Sequence, residues 1–200
     1  MKKVAAKLKP NKVYKQNSSK DNPERYAAFL RGINIGGNKK VPMADLKKML
    51  EKIGFNNVQA ILASGNVVFD SSEKKLEAIK EKIEMQIEET FGFQVKTIVH
   101  SMNYIKKLMD DDPFKGIEVT KETRLYVTFL SHKPKSTFKA PYQSSDKLFR
   151  ILKATDDALF GVLSVKDAHS VDSMNFIDKE FGKEVTTRNW NTIKKVAALG

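Results

Sequence analysis

Residues 25–54, RYAAFLRGINIGGNKKVPMADLKKMLEKIG, decide the first half of the fold. They begin with an apolar run over 25–33 that is apolar on both faces, a pattern typical of a buried strand. A basic, glycine-rich turn follows, and apolar residues then recur at helical spacing from Met43 to Ile53. Gly54 stands where such a helix would end. The stretch therefore predicts a strand that leads through a flexible turn into a helix.

The pattern continues through residue 100. The segments VQAILA and VVFD flank the short turn SGN, which predicts a β-hairpin. An amphipathic helix is predicted over 72–91, capped by Ser71 or Ser72, and VKTIVH over 95–100 is predicted to be the closing strand. The order β-α-β-β-α-β is that of a ferredoxin-like unit, an antiparallel sheet with both helices on one face. Residues 25–100 are therefore predicted to form a ferredoxin-like subdomain.

Residues 101–200 are predicted to form a second, less regular α+β subdomain. A helix is expected over 102–109, followed by the strand RLYVTFL and a proline-containing loop. A second hairpin around TDD precedes a helix that ends at Gly182. TTRNWNTIKKVAAL is predicted to be the last helix, with Thr187 as its cap. The expected fold class is thus α+β, with two ferredoxin-like-related subdomains that contain antiparallel sheets.

The protein is strongly basic, with a net charge of +12 over 200 residues. Residues 1–24 hold seven lysines and two acidic residues, and their low apolar content predicts a basic, disordered tail. This charge balance favours a polyanionic partner, but lysine-rich composition also serves solubility alone. Both interpretations stay open on the sequence.

Composition argues against several classes of protein and site. The chain has no cysteine, which removes disulfides and thiolate chemistry and fits a reducing cytoplasm. No stretch approaches the roughly 20 apolar residues of a membrane span, and the N-terminus lacks the apolar run of a secretory signal. The three histidines are dispersed, and the acidic run over 110–112 is typical of a solvated helix end. We therefore expect a cytoplasmic protein with no metal site, no cofactor and no membrane partner.

The turn after the first strand is one candidate for an anion site. Free backbone N–H groups before the helix, together with nearby cations, could hold a phosphate or carboxylate. Neither the dinucleotide fingerprint nor the P-loop spacing is present. The alternative is a cramped turn in which glycines supply positive φ while Asn34 and Asn38 tie the loop to itself. The residues concerned are Arg31, Asn34, Gly36, Gly37, Lys39 and Lys40.

The segment TTRNWNT, 186–192, is the second candidate. On the predicted helix, Arg188, Asn189 and Trp190 would place a cation, an amide and a large ring on the first turn. Such a turn could bind an anion or stack on a base. The alternative is an internal anchor, with Trp190 packed inward and Arg188 bound to a neighbouring carbonyl.

Three functions stay open on these residues. The preferred one is a non-enzymatic anion-binding module, in which both segments and the turn of Ser64 and Asn66 hold an anionic ligand or the backbone of a nucleic acid. The second is an enzyme that acts on a phosphorylated small molecule, with Arg31 and Arg188 as electrostatic clamps. It lacks an evident general base, so no catalytic residue is assigned. The third is a protein–protein scaffold that self-associates through a sheet edge; the oligomeric state is not indicated.

Three blocks of the sequence carry a family resemblance. They are FLRGINIGGNKKVPMADLKKMLEKIGFNNV, SGNVVF and TTRNWNTIKK, in that order, and the resemblance extends over residues 25–199. Together they resemble the DUF1697 family of uncharacterised, mostly bacterial proteins. The resemblance implies a small cytoplasmic α+β protein built of two ferredoxin-like-related halves. It implies no activity, substrate or catalytic residue.

Overall fold

A computed structural model describes residues 22–36, 39–134, 138–165 and 171–200 of the chain. These residues form helices and two antiparallel sheets, so the predicted α+β fold class is confirmed. The predicted tail lies almost wholly outside the described residues, and the first strand begins at Glu24. No helix within the described ranges combines the length and the apolar character needed to cross a membrane.

The first half follows the predicted order of strands and helices. Its elements are β1 (Glu24–Leu30), α1 (Met43–Lys52), β2 (Asn56–Ile61), β3 (Asn66–Ser71), α2 (Leu76–Phe91) and β4 (Thr97–Ser101). The strands form one sheet in the order β2-β3-β1-β4, with antiparallel neighbours throughout. Strand β1 is thus central, and β4 forms one edge.

The second half builds a sheet of related topology. Its elements are α3 (Met102–Asp110), β5 (Thr123–Phe129), β6 (Tyr142–Gln143), β7 (Phe149–Ala154), β8 (Ala158–Ser164), α4 (Val171–Phe181), β9 (Thr186–Asn189) and α5 (Trp190–Ala197). The strand order is β6-β7-β8-β5-β9, again antiparallel. Without the short β6, the order β7-β8-β5-β9 repeats that of the first sheet strand for strand. The halves differ in their first connection, because no helix is present among the described residues between β5 and β7.

Both sheets are buried on both faces. In β1, Ala28 and Leu30 pack against α1 and α2, whereas Ala27 and Phe29 face the second sheet. The rings of Phe29 and Phe129 stack between the sheets with centroids 4.6 Å apart. Helices α3 and α5 fill the rest of this shared core, and α4 covers the far face of the second sheet. Strands with two buried faces need apolar residues at nearly every position, which explains the continuous apolar runs in the sequence.

Two predicted helix caps are wrong. Ser71 ends β3, where it pairs with Glu24 of β1, and α2 begins later, after Lys75. Thr187 lies within β9 rather than at a helix start, because Thr186–Asn189 pairs with β5. The cap of α5 is Asn189, whose side chain accepts a hydrogen bond from the backbone N–H of Asn191 at 2.9 Å. The predicted loop over 131–145 also contains the short strand β6.

Candidate functional site

The two predicted binding segments and the SGN turn lie together in the structure, and Arg188 of β9 joins them. Its Nε donates to Asn66 Oδ1 at 2.6 Å, in the hairpin between β2 and β3. Its Nη2 donates to the carbonyl oxygens of Leu30 at 2.5 Å and Gly65 at 3.4 Å. Arg188 therefore connects the second sheet to the end of β1 and to the SGN turn of the first sheet.

All five N–H groups of Arg188 are engaged. Besides the three bonds to the first sheet, Nη1 donates to Thr186 Oγ1 at 2.7 Å and to the Thr187 carbonyl at 2.9 Å. The five acceptors are uncharged, and the residue is 9% exposed. Burial lowers the pKa of Arg188 to about 10, which leaves the guanidinium charged at neutral pH. Arg188 is thus a buried cation in an internal network, and it has no N–H group left for a ligand.

The neighbours of Arg188 in sequence are internal as well. Trp190 is 3% exposed and packs edge-on against Phe114, with ring centroids 5.3 Å apart. Asn189 uses its side chain to cap α5. The sequence left two interpretations open for this segment, a ligand-binding turn and an internal anchor. In the structure the segment is an internal anchor.

Asn34 ties the turn after β1 to itself. Its Oδ1 accepts from the backbone N–H of Val41 at 2.8 Å, and its Nδ2 donates to the carbonyls of Val41 at 2.9 Å and Ala63 at 2.7 Å. Asn34 has φ of +57°, in the left-handed region that asparagine tolerates better than most residues. The self-bonded turn is therefore present, and it also holds the SGN hairpin in place.

The cations of this turn point to different places. Arg31 binds both carboxylate oxygens of Asp178, at 2.8 and 2.7 Å, and the carbonyl of Val185 at 2.5 Å. Lys39 donates to the carbonyl of Gln94 at 2.7 Å, and Lys40 is exposed. The remaining residues are placed as follows: Gly36 has φ of +63°, Ser64 accepts from Asn66 Nδ2 at 3.0 Å, and Gly37 and Asn38 lie outside the described residues.

Gly65→Ala is expected to destabilise the protein strongly, because the SGN turn has no room for a side chain. Gly65 has φ of +73°, and an added Cβ would lie 2.9 Å from the side chains of Ile33 and Leu30. Strain and overlap together should lower the free energy of unfolding by about 2–4 kcal/mol, measured by urea unfolding. Gly92→Ala is the matched control, because Gly92 has φ of +79° but open space around the added Cβ. Equal losses in the two variants would contradict the packing argument.

A separate cleft follows the outer edge of β4 and has a volume of about 380 Å³. We call it the β4 cleft. Its walls are the N-terminal part of α2, the strand β4, Tyr104 of α3, the two residues after β5, and Asp157 in the turn between β7 and β8. Because β4 is an edge strand, its outward backbone groups pair with no other described strand. The cleft thus lies where the two halves of the protein meet.

Buried polar atoms without partners are concentrated in this cleft. In the described part of the chain, three buried side-chain polar atoms lack a hydrogen bond: Thr97 Oγ1, His100 Nε2 and the Tyr104 hydroxyl oxygen. All three residues line the β4 cleft, and Thr97 and His100 are 1% and 8% exposed. Thr155 lies near the Tyr104 hydroxyl but outside hydrogen-bonding geometry. A buried polar atom left without a partner costs about 1–3 kcal/mol, so three in one place need an explanation.

The aromatic wall of the cleft is neutral at physiological pH. The ring of His100 stacks on the ring of Tyr104, with centroids 4.3 Å apart. It also contacts the ring of Phe129, with centroids 4.8 Å apart. Burial lowers the pKa of His100 to about 4, so the imidazole is uncharged at pH 7. Burial also raises the pKa of Tyr104, and the carboxylate of Asp157 adds to that shift. The wall therefore offers a neutral imidazole nitrogen and a phenol, which between them can donate and accept hydrogen bonds.

These residues were not predicted from the sequence. The three histidines are dispersed in the sequence, and Thr97, Tyr104 and Asp157 belong to elements whose proximity local patterns do not indicate. One signal was available: His100 ends the apolar run VKTIVH, where a buried imidazole requires a hydrogen-bond partner. Within the ranges that the structure describes, no cluster of three or more histidine or acidic side chains could hold a metal ion.

Comparisons with known proteins identify relatives without assigning an activity. A family model described as "Protein of unknown function (DUF1697)" matches residues 24–160, so the block TTRNWNTIKK lies beyond the matched range. No curated protein matches the chain significantly. Among solved structures, the conserved bacterial protein SP0830 from Streptococcus pneumoniae is similar, with a TM-score of 0.68 and 21% sequence identity. The alignment covers 89% of this chain and 99% of that chain, and it supports the fold alone.

Proposed function

Because the chain belongs to the DUF1697 family, whose description names no activity, we propose a function from the geometry: the protein binds a small molecule in the β4 cleft. The observation that carries the proposal is the set of three unpartnered polar atoms, on Thr97, His100 and Tyr104. A ligand with hydrogen-bonding groups would supply the hydrogen bonds that these three atoms lack.

The cost of the unpartnered groups favours a functional role. Apolar residues of the same shape would pack equally well at these positions and would remove the desolvation penalty. Proteins keep such locally unfavourable groups at sites where activity depends on them. All three groups line the same cleft, Thr97 at one end and His100 with Tyr104 at the other, which supports a ligand that occupies this cleft.

Binding alone is proposed, because neither the histidine nor the serines of the cleft have the properties of a general base or an activated nucleophile. His100 is its histidine, and an imidazole with a pKa of about 4 is a weak general base at neutral pH. Ser101 and Ser131 line the cleft without a hydrogen bond to that imidazole. The protein is therefore proposed to be a binding protein rather than an enzyme.

Thr97→Val combined with Tyr104→Phe is expected to leave the protein at least as stable as the wild type. The two changes remove hydroxyl groups that have no partner and keep the shape of the side chains. We expect the free energy of unfolding to stay constant or to rise by about 1–2 kcal/mol in urea unfolding. Thr128→Val is the control: Thr128 is also buried, but its hydroxyl bonds to Thr187 at 2.8 Å, so its removal should cost about 1 kcal/mol. A loss of more than 1 kcal/mol in the double variant would assign its hydroxyls a structural role.

The same double variant tests the proposed function. Saturation-transfer NMR with benzyl alcohol, a small neutral ring with one hydroxyl, would report binding to the wild-type protein. We expect the apparent affinity to fall at least tenfold in the Thr97→Val, Tyr104→Phe variant, since one lost hydrogen bond is worth roughly this factor. Thr128→Val should bind the probe as the wild type does. Equal binding to the double variant would refute the proposal, and so would failure of the wild type to bind this alcohol and its amine and carboxylate analogues.

Binding of a polyanion is a second proposal, and it is favoured by charge. The net charge of +12 supports attraction to nucleic acid, and the basic segment 1–24 would contribute most per residue. Arg31 and Arg188 are engaged internally and would not contribute direct contacts. Filter binding to mixed DNA and RNA at two salt concentrations tests it, because about six phosphate contacts would lower the affinity roughly a thousandfold between low and moderate salt. Absent or salt-independent binding would rule it out.

A further inference from the structure

The charged residues of the β4 cleft leave it with a net negative charge, although the protein as a whole is basic. Three charged side chains line it: Glu77, Lys80 and Asp157. Lys80 Nζ donates to Glu77 Oε1 at 2.8 Å, so these two charges compensate each other. Asp157 has no ion-pair partner within the described part of the chain. One uncompensated carboxylate therefore remains at the cleft.

The backbone around Asp157 holds this carboxylate in a defined turn. Its carbonyl accepts from the backbone N–H of Leu130 at 2.9 Å, and its own N–H donates to Thr155 Oγ1 at 3.4 Å. The preceding residue, Asp156, points elsewhere and pairs with Lys133 at 2.8 Å. The field of Asp157 reaches the Tyr104 hydroxyl, where it adds to the effect of burial on the phenol. Asp157 is thus the acidic group on the aromatic side of the cleft.

The cleft has two chemically different ends. Successive side chains of a strand point to opposite faces of the sheet. Thr97 therefore lies on the α2 side, beside the Glu77–Lys80 pair, whereas His100 lies on the side of the second sheet, stacked on Tyr104. The Tyr104 end holds the uncompensated carboxylate, a neutral imidazole and a phenol oxygen.

The Tyr104 end matches the hydrogen-bonding capacity of an ammonium group. An ammonium has N–H donors and no acceptor, and the three groups at this end can all accept. An anion would instead meet the carboxylates of Asp157 and Glu77, and the one cation of the cleft, Lys80, is already paired. The electrostatics therefore select against anions and for cations.

We infer that the ligand of the β4 cleft is a small organic amine, bound as a cation with its ammonium group between Asp157, His100 and Tyr104. This inference rests on the proposed function of the cleft and names the chemical class of its ligand. It differs from the anionic ligand that the sequence suggested, because the arginines behind that expectation are internal and the open cleft is acidic.

Three probes with one ring and different charge test the inference: benzylamine, benzyl alcohol and benzoate. Dissociation constants would be measured by NMR titration at low salt and pH 7. We expect benzylamine to bind about tenfold more tightly than benzyl alcohol, and benzoate to bind most weakly, since a charge-assisted hydrogen bond exceeds a neutral one by about this factor. Asp157→Asn should remove the advantage of the amine and leave the affinity for benzyl alcohol unchanged. Asp156→Asn is the matched control and should change neither.

The outcomes separate this inference from the function on which it rests. Equal affinities for the amine and the alcohol, preference for benzoate, or no effect of Asp157→Asn would overturn the amine inference while the cleft remained a binding site. Failure of all three probes to bind the wild-type protein would overturn both. Amine selectivity that depends on Asp157 but not on Asp156 supports both.

Discussion

Arg188→Ala is expected to lower the free energy of unfolding by about 3–5 kcal/mol, the largest effect of any single substitution considered for this protein. The change removes a buried guanidinium that donates three hydrogen bonds to the first sheet and two within β9. Three acceptors of the first sheet, on Leu30, Gly65 and Asn66, would lose their Arg188 contact at once. The substitution would also leave a cavity beside the ring of Phe29, over which the guanidinium lies at 5.8 Å.

Urea unfolding of three variants would measure this effect and separate its causes. Arg188→Lys keeps the charge but has three N–H donors in place of five, so we expect it to recover only part of the loss. Arg150→Ala, on the exposed face of β7, is the control and should stay within about 0.5 kcal/mol of the wild type. A loss below about 1 kcal/mol for Arg188→Ala would contradict the structural role, and it would return Arg188 to the candidates for ligand binding.

The second large effect is a loss of stability in mild acid that depends on His100. The folded protein binds a proton at this imidazole only near pH 4, whereas the unfolded chain binds it near the ordinary value of about 6.5. Between these values the unfolded state holds more protons, so the free energy of unfolding falls as the pH decreases. The full contribution is about 3 kcal/mol, of which about 2 kcal/mol is lost between pH 7 and pH 5. Above pH 7 the two states have the same charge at His100, and its contribution is constant.

The variant His100→Phe isolates this contribution. Phenylalanine keeps a ring next to Tyr104 and Phe129 but binds no proton, so the carboxylates that also titrate in this range affect both proteins alike. We expect urea unfolding to show the wild type losing about 2 kcal/mol more than the variant between pH 7 and pH 5. Parallel losses in the two proteins would show that His100 is protonated equally in the folded and unfolded states, and the buried neutral imidazole would be refuted.

The spacing of apolar residues was sufficient to predict the fold class and most helices and strands. The reason is that burial of one face of a helix, or of a strand, fixes this spacing within the element itself. The stripe from Met43 to Ile53 and the apolar run over 25–33 predict α1 and β1 with few alternatives. The error at TTRN has a specific cause. Threonine and asparagine are typical both of caps and of strand ends, and the deciding interaction, pairing with β5, lies some 60 residues away in sequence.

The hydrogen bonds of Arg188 and the β4 cleft were harder to predict, because they too depend on residues that are distant in sequence. The sequence marked Arg188, Asn34 and Asn66 as unusual, and the structure places them in contacts that hold chain turns together. Whether such a residue faces a ligand or a carbonyl depends on partners such as Leu30, 158 residues from Arg188. The β4 cleft combines residues from α2, β4, α3 and the β7–β8 turn, each unremarkable in its own segment.

The most direct test of the β4 cleft as a binding site is a crystal structure of the protein soaked with benzylamine. We expect the probe in the cleft, with its ammonium nitrogen within hydrogen-bonding distance of the Asp157 carboxylate and of His100 Nε2 or the Tyr104 hydroxyl. A cleft that stays free of the probe at saturating concentration, or polar atoms of Thr97, His100 and Tyr104 that bond to protein groups instead, would contradict the account.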